Sequence, residues 1–183
     1  FGKRRLYGIE KYKRDNIKVV SLKTPGIVHS IAKDICDGNI VNIVRENMEF
    51  GPRALCSTSS LFLPTTENVA RNNSMNKRNE VMPCAPVILS SNVQHMFNFK
   101  DFSRVIGSSK YMICTFDYTK PYTKQYGGVM HKKPLDDIYT GRPQVIEPEL
   151  FGIGSNLTFN ILAAVEGMCD AKCLVNTSFN AHG

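Results

Sequence analysis

The amino-acid sequence predicts an α/β domain with a twisted mixed sheet flanked by helices. Three observations lead there. Apolar runs of strand length alternate with apolar stripes of helical spacing, the pattern of helices packed on a sheet. The first three such stretches, residues 17–22, 27–35 and 40–44, read as strand, helix, strand. The 183 residues, 42% of them hydrophobic and without internal repeats or low-complexity linkers, suffice for one domain with a sizeable core.

Residues 1–16 carry Lys3, Arg4, Arg5, Lys11, Lys13 and Arg14 without a period, reading as a solvated basic face or, more sharply, a nucleic-acid arm. The strand at 17–22 completes a lead-in spanning 1–30. Thr24 and Pro25 suit the cap and first residue of a helix whose stripe is Ile27, Ile31 and Ile35, with Gly38 as its stop. After the strand at 40–44, residues 61–63 make a short one, and Thr65 or Thr66 caps a helix towards Asn73 that is too polar for the core. Residues 87–89 form a strand with prolines at its entrance. Ser90 or Ser91 caps a short helix with Val93, Met96 and Phe97, and 111–116 reads as a further strand. The stretch 117–141 has no sustained period and is expected to be a long loop, functional or disordered. Beyond it come the apolar pair Val145-Ile146, a helix capped by Asn156 with the stripe Leu157, Ile161, Leu162 and Val165, and a strand at 173–175 opening into Asn176-Thr177-Ser178-Phe179-Asn180.

The chain is organised around Met48-Glu49-Phe50-Gly51-Pro52-Arg53-Ala54-Leu55, a loop between two strands. Gly51 permits a sharp turn or a close approach and Pro52 fixes the following φ, which leaves Arg53 little freedom. A guanidinium held that way suits a phosphate or carboxylate; on residue types alone an ordinary turn with a solvated Arg fits as well. Further polar clusters adjoin strands at Lys77-Arg78, Arg142/Gln144 and Asn176/Ser178/Asn180. In an open α/β sheet such groups can share one crevice, and cations with amide and hydroxyl donors but no nucleophile–base pair suit a polyphosphate better than covalent catalysis.

The formal net charge of +7 favours anionic partners: nucleotides, phosphorylated metabolites or nucleic acid. Neither G-x-x-x-x-G-K-[ST] nor G-x-G-x-x-G occurs. The four histidines lack metal-ligand spacing, and Asp136-Asp137 could hold magnesium or simply be solvated. Six scattered cysteines, several in apolar runs, suggest reduced core thiols in a cytoplasmic protein, with no zinc site from Cys169 and Cys173. No apolar run approaches the roughly 18 residues of a membrane span, so no membrane partner is expected. The start at Phe1 and the stop after an apolar strand read as a segment of a longer polypeptide.

Five motifs in one order add a resemblance. The string from Glu49 to Leu55 matches the EFGPRALG signature of the O-carbamoyltransferases of nodulation and antibiotic tailoring, the NodU/CmcH/TobZ type. Asp37-Gly38-Asn39-Ile40-Val41 is similar to that family's "eGkvvg", and Asn76-Lys77-Arg78 with Pro83-Cys84-Ala85-Pro86 resembles its "N..vK.Re.frPfAPs". Arg142-Pro143-Gln144 looks like the end of "HvDGtaRvQ", and Asn176 to Asn180 matches "NTSFN".

The resemblance runs from about 31 to 183 and implies a YrdC-like carboxy-terminal domain, which joins a carbamoyl group to AMP from carbamoyl phosphate and ATP with Mg2+. It also implies an amino-terminal lobe, outside this sequence, that binds iron and passes the group to a hydroxyl acceptor. By position it implies Arg53, Lys77 and Arg78 as catalytic residues, and these with Ser59, Arg142, Asn176, Ser178 and Asn180 as ligands of phosphate or the carbamoyl adenylate. No metal ligand is implied within the segment. Cys56-Ser57-Thr58-Ser59 replaces the family's GNRS, Asp136 and Ile138 take its His and Asp places, and Glu46-Asn47 replaces a Gly-Arg. These departures point to an altered substrate or weakened ATP binding; the alternative is a catalytically silent basic module for nucleic acid or a protein partner.

Overall fold

A computed structural model describes residues 21, 23–45, 49–78, 84–98, 102–148 and 155–179. Its elements run α1 (Ile27–Cys36), β1 (Val41–Val44), β2 (Thr58–Phe62), α2 (Thr66–Met75), β3 (Ala85–Leu89), α3 (Ser90–Met96), α4 (Phe102–Ser109) and β4 (Phe116–Asp117). Then come α5 (Thr123–Tyr126), β5 (His131–Lys132), β6 (Tyr139–Gly141), β7 (Gln144–Ile146), α6 (Ser155–Cys169) and β8 (Cys173–Ser178).

Among the described residues five strands form a mixed sheet in the order β1-β2-β8-β3-β7. The first four pair antiparallel, and β7 joins β3 in parallel. This is the α/β, mixed-sheet architecture expected. Side chains alternate between two cores, as the period of two requires. Phe62, Ile88, Val145, Cys173 and Val175 face a core shared with Val93, Met96, Phe97, Tyr118 and Val129. Leu61, Val87, Leu89, Ile146 and Leu174 face the opposite one, closed by Ala32 and Ile35 of α1 and by Ile161, Leu162 and Val165 of α6. At about 1.5–3 kcal/mol for each fully buried large apolar side chain, this two-sided burial is the main force holding the sheet.

Several local expectations change. Gly26, in the left-handed region, takes the N-cap place of α1 instead of Thr24, and the helix ends before Gly38 (φ 86) as expected. Thr65 caps α2, its Oγ1 accepting from the Asn68 N–H at 3.2 Å. Yet α2 is not too polar for the core: Asn68, Asn72 and Asn73 are buried, and Asn68 Nδ2 donates to the Leu63 carbonyl. The second strand lies at Thr58–Phe62, earlier than 61–63. Ser90 is the first residue of α3, which has no side-chain cap.

The strand read at 111–116 shrinks to Phe116–Asp117, preceded by the unforeseen helix α4 and a turn in which Met112 has φ 53. The stretch 117–141 is not one loop, since β4, β6 and β5 build a small antiparallel sheet from it. Asn176, Thr177 and Ser178 lie within β8, not beyond it. A disulfide joins Cys36 to Cys169 at the ends of α1 and α6, with Cα atoms 6.0 Å apart; these two are therefore not reduced thiols. Cys56, Cys84, Cys114 and Cys173 are free. No described helix is long and apolar enough to cross a membrane. Apart from Ser21, the strand expected at 17–22 lies outside the described residues, as do Pro83 and Asn180.

Candidate functional site

Topology gathers the polar strand ends at one edge of the sheet. Val44, the last residue of β1, pairs with Thr58, the first of β2, and Ser59 of β2 pairs with Ser178, the last of β8. Ala85 at the start of β3 pairs with Asn176, and Gln144 opens β7 beside Val87 of β3. At this edge β2 opens with Thr58-Ser59-Ser60, β8 closes with Asn176-Thr177-Ser178 and β7 opens with Gln144, while β1 closes with Val44 and β3 opens with Ala85. The loop carrying Arg53 joins β1 to β2 here, and Arg142 lies two residues before β7.

The base of that loop is tied by side chains. Glu49 Oε1 accepts from the backbone N–H of Leu55 at 2.7 Å and of Ser57 at 2.6 Å, while both carboxylate oxygens accept from Thr58 N–H at 3.1 Å. Burial works to raise the Glu49 pKa, but the backbone N–H groups around the carboxylate win and hold it below the usual glutamate value. Arg45 donates through Nε (3.0 Å) and Nη2 (2.7 Å) to the Cys56 carbonyl, and through Nη2 to Thr158 Oγ1 at 3.3 Å. Cys56 N–H donates to Ser59 Oγ at 2.9 Å. Every backbone N–H from Leu55 to Thr58 except that of Cys56 thus meets Glu49, and the exposed Gly51-Pro52-Arg53 tip stands on a fixed base, with Gly51 at φ 141.

Below the loop lies a buried amide pair. Asn176, 2% exposed, donates through Nδ2 to the Ala54 carbonyl at 2.9 Å and to Gln144 Oε1 at 2.5 Å, and the Cys56 thiol donates to the same Gln144 oxygen at 3.3 Å. Burial pushes the Cys56 thiol up to about 12, outweighing nearby Arg45, so this cysteine is a packing and hydrogen-bonding group and no nucleophile. Asn176 Oδ1 and Arg142 Nε are buried without a partner among the described residues. Burial lowers the Arg142 pKa, and repulsion from Arg53 lowers it further. One cationic donor and one acceptor left unmet at this end of the sheet would both be satisfied by an anion with amide-like donors.

Arg78 comes from the other face, where it donates to Thr177 Oγ1, whose side chain alternates with those of Asn176 and Ser178. Lys77 is exposed at φ 52 after α2, with its N–H bonded to Ser74 O and that of Arg78 to Asn73 O. That is a Schellman ending with lysine where glycine usually stands. Asn180 lies outside the described residues. Asp136 is exposed and Asp137 pairs with Lys132 at 2.6 Å; no group of three His, Cys, Asp or Glu that could hold a metal occurs among the described residues. Sequence reasoning missed Arg45 as a loop tie and Gln144 as a buried hub. Arg45 sits just outside the motif, and only the fold shows that Gln144 faces Asn176.

The family model for the carbamoyltransferase C-terminus matches residues 32–183. The chain belongs to this family. Among curated proteins similar to this carbamoyltransferase domain is the uncharacterized MJ1051 of Methanocaldococcus jannaschii, 33% identical over 174 residues, which are 94% of this chain and 31% of that protein. The uncharacterized MJ1058 of the same organism is 28% identical over 83% of this chain and 23% of its own length. The uncharacterized sll1178 of Synechocystis is 28% identical over 84% of this chain and 26% of its length. The chain thus spans about a quarter to a third of these relatives.

Membership gives the Cys56 geometry a meaning. Cys56 stands where the EFGPRALG motif closes on glycine, and its φ of 70 lies in the left-handed region that glycine occupies without cost. In this carbamoyltransferase domain a cysteine takes that conformation, held by Arg45 on its carbonyl and Ser59 on its amide.

Proposed function

We propose that this domain forms carbamoyl adenylate from carbamoyl phosphate and ATP, and that the carbamoyl group passes to a hydroxyl acceptor bound elsewhere in a longer polypeptide. The observation that supports this most is the pair of unmet groups below the loop, Arg142 Nε and Asn176 Oδ1, both buried without a partner among the described residues, beside the Asn176–Gln144 bond. Forming the adenylate takes two cleavages: water hydrolyses carbamoyl phosphate to carbamate and inorganic phosphate, and a carbamate oxygen then attacks the α-phosphorus of ATP, breaking the α–β phosphoanhydride and releasing pyrophosphate, so negative charge grows on the leaving phosphates. Cations fixed before the reaction stabilise that charge without reorganising.

In this reading Arg53 presents its planar fork to one phosphate and Arg142 neutralises a second. Asn176 Oδ1 accepts from the carbamoyl NH2, and the Ser59 and Ser178 hydroxyls border the same strand ends. Lys77 and Arg78 approach from the α2 side and bind the distal phosphates. The described carboxylates do not form a magnesium site, so Mg2+ would be carried by the nucleotide's own phosphates and waters, and no step here depends on it. The test is release of pyrophosphate from ATP by the full-length protein. Release that requires carbamoyl phosphate and drops on Arg142→Ala is expected; release indifferent to carbamoyl phosphate, or none, refutes the reading.

A further inference from the structure

Arg142 and Pro143 link the small sheet to the large one, since Gly141 ends β6 and Gln144 opens β7. Pro143 fixes its own φ within that link. The β7 end is held by backbone and side chain alike: Gln144 lies beside Val87 of β3, and its Oε1 accepts from Asn176 at 2.5 Å. At the β6 end Gly141 has no side chain to bond. It is held by an aromatic ring.

That ring belongs to Tyr118, two residues along from Phe116, the strand partner of Gly141. Tyr118 is 5% exposed, its hydroxyl donates to the Val129 carbonyl at 3.1 Å, and its ring packs on that of Phe97 with centroids 4.3 Å apart. Its backbone N–H donates to the Tyr139 carbonyl at 2.8 Å, so the residue is tied at both ends. A Cβ on Gly141 would stand 2.6 Å from Tyr118 Oη, 2.8 Å from Cε2 and 2.9 Å from Cζ, closer than such atoms can approach. The φ of Gly141 lies outside the left-handed region, so the ring, and not backbone freedom, requires glycine here.

Arg142 Nε is buried without a partner among the described residues, so no hydrogen bond at that atom steers the side chain. Its course depends on the backbone it leaves from. Resting on the adenylate-forming reading above, we infer that Tyr118 is a positioning residue: its ring, seated on Gly141, fixes the backbone from which Arg142 meets the phosphates. Tyr118 takes no part in the chemistry itself. A displacement of about 1 Å in a group that acts on the transition state can cost about a hundredfold in rate, whereas loosened packing elsewhere in the same core lowers stability alone.

The experiment measures carbamoyl-phosphate-dependent pyrophosphate release by the full-length protein and its Gly141→Ala, Tyr118→Leu, Gly141→Ala/Tyr118→Leu, Arg142→Ala and Val93→Ala variants, below the melting temperature of each. Val93, fully buried in the same core but on α3, is the control for lost packing. Gly141→Ala should lower kcat roughly ten- to hundredfold, as the new methyl pushes the link away from the ring. The KM for ATP should stay nearly unchanged, as for a group acting on charge that develops in the transition state. Adding Tyr118→Leu makes room for the methyl and should recover much of the loss. Val93→Ala should lower the melting temperature and leave kcat within about twofold. If Gly141→Ala keeps full kcat, or Tyr118→Leu recovers none of its loss, while Arg142→Ala is impaired, Tyr118 does not position Arg142 and the adenylate-forming reading stands. Should Gly141→Ala not fold, Tyr118→Leu alone decides: kcat reduced at least about fivefold beyond Val93→Ala supports the positioning role, and kcat equal to it overturns the role. If the unsubstituted protein releases no pyrophosphate, both fall together.

Discussion

Arg53 stands on an exposed tip whose base is fixed by Glu49, Arg45 and Ser59, so its contribution should depend on shape as much as on charge. Arg53→Lys keeps the charge and loses the planar fork. It should therefore behave almost like Arg53→Ala in carbamoyl-phosphate-dependent pyrophosphate release, with a loss of about 1.5–3 kcal/mol, or roughly ten- to over a hundredfold. A lysine variant with full activity would show that only diffuse charge is needed. Lys77 offers the converse experiment. Its left-handed backbone costs roughly 1–2 kcal/mol, less the extra chain entropy that glycine would bring, so Lys77→Gly should raise unfolding stability by about 0.5–1 kcal/mol. If Lys77 touches phosphate, the same substitution should slow pyrophosphate release; denaturant midpoints and rates moving in opposite directions is the expected result. At this scale the sequence was legible where a residue type states its own geometry: Gly51 and Pro52 marked the tip, and Thr65 the cap of α2. It was silent on Cys56, Lys77 and Met112, because nothing about those residue types announces a positive φ.

Elements were readable in proportion to their length and burial. α6, β3 and β8 carry apolar periods that leave little choice, and α1 shows its stripe through Ile31 and Ile35. The strands of the small sheet have two or three residues each, too few for any period, so 117–141 looked irregular. Residues 111–116 contain the aromatic and β-branched types of a strand, but the α4 turn fixes them first. The buried asparagines of α2 read as surface because their partners, such as the Leu63 carbonyl, are supplied by the fold. The β1–β2 loop shows the same principle with a pH signature. The Glu49 carboxylate has a lowered pKa, so its hydrogen bonds stabilise the fold fully above the ordinary glutamate range, and that contribution is lost as pH falls through the depressed folded value. Glu49→Gln should cost about 1.5 kcal/mol near pH 7, the low end for bonds to a charged group because the carboxylate is part-exposed. Urea unfolding of both proteins at neutral and acid pH should show the gap closing as pH drops. A gap of equal size at both would mean that Glu49 acts through packing alone.

Across the whole molecule, a net charge of +7 favours anionic partners, and a nucleotide and a nucleic acid make different demands on where the cations sit. The order of motifs was visible before the fold because the β1–β2 loop, the turn before β7 and the end of β8 each bring polar residues to this edge beside apolar strand sequence. That edge is narrow. Asn176 and Gln144 bond each other beneath the Arg53 loop, with Arg142 two residues before Gln144, while Arg78 bonds Thr177 on the opposite face of β8. A few cations at one end of the sheet suit a compact polyphosphate, whereas a nucleic acid backbone needs them spread along a track. Ionic strength distinguishes the two. Oligonucleotide binding should be weak and, where measurable, fall with log[salt] at a slope of about −0.7 to −0.9 per neutralised phosphate, summed over many contacts. ATP binding should involve only a few such contacts and so a shallow slope, and Lys77→Ala should lower affinity without steepening it. Titrations of the full-length protein with ATP and with a single-stranded oligonucleotide, each at several salt concentrations, make the comparison. Tight oligonucleotide binding with a steep slope, and no affinity for ATP, would overturn the proposed adenylate chemistry at the Arg53 edge in favour of nucleic-acid recognition.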